Sequence, residues 1–66
     1  MKPDEIVRRI QSSGRQHYVF RVGRQVVAAR KDSATLDRLE NTRGAELIGC
    51  YGKAATAAMI AEDLRA

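Results

Sequence analysis

Between residues 15 and 31 the chain carries Arg15, Arg21, Arg24, Arg30 and Lys31 with no acid among them, and His17, the one histidine, stands in the same stretch. These side chains do one kind of chemistry well: they hold oxyanions. Nine of the twelve bases are arginine, whose planar fork of N–H donors matches phosphate and carboxylate oxygens two at a time. The charge is also uneven along the chain. Residues 1–31 hold eight bases against two acids, and residues 32–66 hold four bases against six acids. A basic block of this kind points to an anionic partner, nucleic acid or an acidic protein surface, set against the plainer reading of a solvated face.

The other reactive side chains are isolated. His17 is of a residue type that serves as a general base, but no Ser or Cys stands beside it in a catalytic pattern. Cys50 is the one cysteine, which excludes an intrachain disulfide and a cysteine-based metal cluster and fits a reducing, cytoplasmic setting. It falls in an apolar stretch, where a lone thiol behaves as a small hydrophobe. The acids are too scattered for a carboxylate dyad or a hard-cation site. The segment Gly49-Cys50-Tyr51-Gly52-Lys53-Ala54-Ala55-Thr56 approaches a phosphate loop, yet Leu47 stands where that pattern needs its first glycine and Ala54 where it needs a hydroxyl. What remains is a Gly-Lys entry to a helix, where free N–H groups lie beside the Lys53 cation and suit one phosphate. These features imply no enzyme, no metal and no cofactor.

The basic block must be positioned by the elements that carry it. His17 to Val22 and Gln25 to Arg30 are β-prone runs on either side of Gly23-Arg24, and glycine at the first central position suits a type II′ hairpin turn. That turn sets Val22 opposite Gln25, Arg21 opposite Val26, Phe20 opposite Val27, Val19 opposite Ala28, Tyr18 opposite Ala29 and His17 opposite Arg30. Tyr18, Phe20, Val22, Val27 and Ala29 then share the face expected to be core. His17, Val19, Arg21, Val26, Ala28 and Arg30 share the mixed, basic one.

Around the hairpin the sequence predicts a helix from Pro3 with Ile6, Val7 and Ile10 as its stripe, stopped by Ser12-Ser13-Gly14. Asp32 or Ser33 caps a short second helix through about Asn41, with Leu36 and Leu39 inward. Residues 45–51 read as a third strand in which Gly49 marks a bulge or a close backbone approach. Lys53 to about Arg65 reads as the closing helix, its stripe being Ala54, Ala57, Ile60, Ala61 and Leu64. The order α-β-β-α-β-α is a single α+β domain over residues 1–66, a small antiparallel sheet with helices expected on one face, so that Phe20 meets Ile60 or Leu64. No apolar run reaches the ~18 residues of a membrane span, and no signal-peptide core follows the N-terminus. A domain this small buries only ~60% of its unfolded surface, so a homodimer would help, with Ala55 and Met59 opposite the stripe as its contact.

An opening helix, a hairpin and an Ala-rich closing helix entered through Gly-Lys resemble a double-stranded-RNA-binding domain. The His17–Arg30 stretch is similar to the His-bearing sheet of the HicA-type RNA-cleaving toxins. Both families run three consecutive strands, whereas the Leu36/Leu39 segment interrupts them here. The clustered lysines of the first and the Gly-Ser-His of the second are missing, so neither family is assigned. The expectation is a non-enzymatic basic module that binds nucleic acid through Arg15, His17, Arg21, Arg24, Arg30, Lys31 and Lys53. The alternative is a phage- or plasmid-type inhibitor that blocks a host protein or nucleoprotein complex.

Overall fold

The computed structural model describes residues 2–65. Six elements follow one another: α1 (Pro3–Ser13), β1 (His17–Val22), β2 (Gln25–Arg30), α2 (Ser33–Glu40), β3 (Ala45–Tyr51) and α3 (Ala54–Arg65). The three strands form one antiparallel sheet in the order β2-β1-β3, so the first strand in sequence is the central one. The hairpin register is the one the turn predicts at all six pairs. Gly23 has φ 59° while Arg24 stays out of positive φ, as a type II′ turn requires and a type I′ turn would not allow.

Both faces of the sheet are covered, and this corrects the one-sided arrangement expected from the sequence. On one face Tyr18 packs with Ile6 and Ile10 of α1, Leu39 of α2 and Ala45; all five are buried, with Phe20, Val22, Leu36 and Leu47 half-buried around them. On the other face Val19 and Val26 pack under Ala57 and Ala61 of α3. Phe20 therefore belongs with α1 and α2, not with Ile60 or Leu64, and Leu64 is 42% exposed. The physical reason lies in β1. Val19 and Val26 are apolar on the face that also carries the arginines, and two alanines one helical turn apart let a helix approach a sheet closely. Each fully buried Ile, Leu or Val contributes about 1.5–3 kcal/mol, so a second small core matters in a chain of 66 residues.

Local chemistry places the joints. Asp32 accepts the Thr35 N–H at 2.8 Å while the Thr35 hydroxyl accepts from the Asp32 N–H at 3.1 Å, a reciprocal cap that starts α2. In β3 the register against β1 slips between Val19 and Phe20: Val19 faces Gly49 and Phe20 faces Leu47, leaving Ile48 as the extra residue of a bulge. The close contact at Gly49 is with a side chain and not with another backbone. A Cβ there would lie 2.6 Å from Tyr51 Oη, because the Tyr51 ring folds back over it. Among the described residues no helix is long and apolar enough to cross a membrane.

Candidate anion-binding surface

The antiparallel ladder carries His17 and Arg30 to the end of the sheet away from the turn, as direct cross-strand partners, with Tyr51 on the other side of His17. Lys31 continues the ladder by one rung, its N–H donating to the Gln16 carbonyl at 2.7 Å. The α1–β1 and β3–α3 connections end at the same place. Arg15 is exposed, and its Nη1 comes within 3.6 Å of where a Cβ on Gly52 would stand. Lys53 follows directly and is also exposed. The Ala57 N–H donates to the Lys53 carbonyl at 3.2 Å, which makes Lys53 the residue that caps α3 and leaves the N–H groups of Ala54, Ala55 and Thr56 in the first turn. Arg15, Tyr51, Gly52, Lys53 and Thr56 line an open concavity of about 640 Å³.

Five of the seven predicted contact residues, Arg15, His17, Arg30, Lys31 and Lys53, are thus gathered at one end. The other two are not. Arg24 is exposed at the hairpin turn, and Arg21 is exposed one residue from it. Arg21 faces Val26 on one side and Glu46 on the other, so an acid from the second half of the chain lies beside it in the ladder. Because α3 lies across Val19 and Val26, the basic residues of that face form two groups at its ends and no continuous stripe. Ala55 and Met59 are on the outer side of α3, Met59 being 61% exposed.

One acid stands at the basic end. Asp32 has its carboxyl held below the ordinary carboxylate range, chiefly by the Thr35 N–H it accepts and also by the positive charge of Arg30. It is committed to the cap and offsets part of the charge of Arg30. Tyr18, nearby in the core, is the opposite case. Burial pushes its phenol pKa up, the Thr35 hydroxyl beside it pulls the other way, and the Asp32 charge adds to the rise. Its Oη is buried without a hydrogen-bond partner, and the Thr35 hydroxyl donates to the Arg30 carbonyl at 2.6 Å.

The sequence alone did not connect Arg15 with Gly52, nor single out Tyr51, Thr56, Arg38 or Arg65. Arg15 lies in a connection, and no periodicity says which end of the sheet a connection crosses. Arg65 hydrogen-bonds the Val26 carbonyl through Nε at 3.0 Å and Nη2 at 2.7 Å, a contact spanning 39 positions that carries no local signal. No protein-family model, curated protein or solved structure matches the chain.

Proposed function

We propose that this chain is a small non-enzymatic module that binds nucleic acid through its phosphates. The observation that carries the reading is the placing of Arg15 with Lys53, and of His17 with Arg30, in neighbouring hollows at the start of α3, where the first-turn N–H groups add the positive end of the helix dipole; Lys31 lies at the same sheet end on the other face. Arg21 and Arg24, at the far end of the hairpin, extend the contact to a second phosphate group along the strand. The buried or half-buried state of Tyr18 and Phe20 leaves those rings to the core, which favours backbone contact over base stacking. A single half-buried cysteine fits a reducing cytoplasm.

The test is fluorescence anisotropy against duplex DNA, duplex RNA and single strands across a range of salt. Each phosphate neutralised releases counterions, so log affinity falls with log salt by ~0.9 per contact on duplex DNA. The expected result is a steep slope that flattens when Arg15 and Lys53 are replaced by Ala. No binding to any of these at low salt ends the reading.

A second reading, an inhibitor or adaptor that blocks a host protein, is favoured by the apolar groove beside α2 described below. Self-association through Ala55 and Met59 is favoured by the exposure of Met59. Sedimentation of the parent beside Met59→Lys tests it, and a parent monomeric at high concentration excludes it.

A further inference from the structure

Strand β2 is an edge of the sheet, and its outward groups are countable. Gly23-Arg24 joins Val22 to Gln25, and Lys31 bonds Gln16, so alternate residues bond β1 while Val26, Ala28 and Arg30 turn their N–H and C=O groups outward. Two of those carbonyls have side-chain donors, Val26 from Arg65 and Arg30 from Thr35. The Ala28 carbonyl and the three N–H groups have no partner among the described residues.

The edge has a shaped surface on both sides. Toward α2, a groove of about 320 Å³ has Phe20, Val22, Val27 and Ala29 as its floor and Arg38 and Thr42 on its wall. Toward α3, Ala28 and Arg30 border a more open hollow whose other wall is Ala54, Ala57 and Ala58. A strand laid along β2 would send alternate side chains into these two spaces. No acid lines the groove or the hollows, although Asp32 lies beside Arg30: Arg24 and Arg65 share a hollow at the turn end, Arg30 is at the other end, and Arg38 lines the groove.

We infer that the β2 edge binds an extended acidic peptide segment of a protein partner, which adds a fourth strand beside β2 with apolar side chains in the α2 groove and carboxylates on Arg24, Arg38 and Arg65. The unpaired Ala28 groups supply the main-chain bonds, and the groove selects alternate side chains. A second copy of this chain fits less well. Antiparallel pairing of two β2 strands about Ala28 sets Val26 against the partner's Arg30 in both halves, bringing the Arg65 guanidinium on the Val26 carbonyl toward a like charge. This site shares Arg24 and Arg30 with the proposed nucleic-acid contact but not Arg15 or Lys53, and it does not depend on nucleic-acid binding.

The test uses a fluorescein-labelled peptide of alternating Glu and Val, seven residues long by order of magnitude with the reach of β2, and its counterpart with Lys for Glu. Binding is followed by anisotropy and by amide exchange of the labelled protein. The expected result is that the acidic peptide binds, protects the Ala28 N–H and shifts Val26 and Arg30, while the Lys peptide does not bind. Ala28→Pro removes an outward N–H without breaking a bond to β1 and should weaken binding about tenfold, the worth of one hydrogen bond. Arg24→Glu with Arg38→Glu, which leaves the strand backbone alone, should reverse the preference toward the Lys peptide. Absence of binding, binding with the Ala28 N–H unprotected, or shifts confined to Arg15 and Lys53 would each overturn the proposal.

Discussion

The Tyr51 ring lies over Gly49, two residues back on the same strand face, so that a Cβ on Gly49 would stand 2.6 Å from Oη and 3.0 Å from Cζ. Gly49→Ala sets two effects against each other. A strand alanine is favoured over glycine by roughly 0.5–1 kcal/mol through the unfolded chain. Displacing the ring costs roughly 1–3 kcal/mol. The second is the larger, so a net loss of about 1 kcal/mol is expected, and it should vanish or reverse in a Tyr51→Ala background. Denaturant melts of the four proteins in that cycle check it; equal losses in both backgrounds would disconnect the glycine from the ring.

Tyr18→Phe should stabilise the protein. The ring is fully buried and keeps its packing, while the hydroxyl that is removed has no partner. An unsatisfied buried group costs about 1–3 kcal/mol, so a gain of about 1 kcal/mol is expected. The pH dependence has a definite sign. A phenol whose folded pKa is raised contributes stability that is full below its unfolded pKa and is lost as pH rises through the folded value. The variant should therefore lose less stability than the parent on the alkaline side, as read by thermal melts across that range.

Asp32 works on the acid side. Its folded pKa is lowered, so its contribution is present above the ordinary carboxylate pKa and disappears as pH falls through the lowered value. Asp32→Asn keeps the cap and should remove that part of the acid dependence. Asp32→Ala removes the cap itself and should lower Tm at neutral pH by a few degrees, with α2 the first element to lose amide protection.

Arg15→Ala with Lys53→Ala should flatten the salt dependence of nucleic-acid binding by about two contacts' worth of slope while leaving Tm nearly unchanged, since both side chains are exposed. Arg21→Ala should have a smaller effect than Arg30→Ala, because Glu46 of β3 is the cross-strand partner of Arg21. Equal effects at the two positions would argue against the basic end as the centre of the contact.

The parts of this fold that were legible in the sequence are those governed by neighbours. Gly23-Arg24 determined a turn and through it six cross-strand pairs, Asp32 or Ser33 marked the start of α2, and Gly49 pointed to the bulge that lies beside it at Ile48. The layer arrangement was not legible, because Val19 and Val26 alternate with Arg21 and Arg30. A face of mixed character reads as solvent-facing until a helix is known to cover its apolar half. The same limit applied to the candidate site: the basic residues along the hairpin are visible in the sequence, but the grouping of Arg15 with Lys53 comes from two connections meeting at one sheet end. The Arg65–Val26 contact depends on where the closing helix ends, which no local pattern records.

The strand order β2-β1-β3 also has a consequence in time. The β1–β2 hairpin is local and can form in about 1–10 μs, whereas β3 must close a loop across α2 before it meets the other side of β1. Until then the strand destined for the middle has one bare edge, the condition in which chains pair with one another. The Asp32–Thr35 reciprocal bonds bias the connection toward the turn that starts α2, which shortens the loop to be closed before Ala45 meets Val22. Loss of the cap should therefore slow refolding and lower the concentration at which refolding chains aggregate, beyond what the change in equilibrium stability explains.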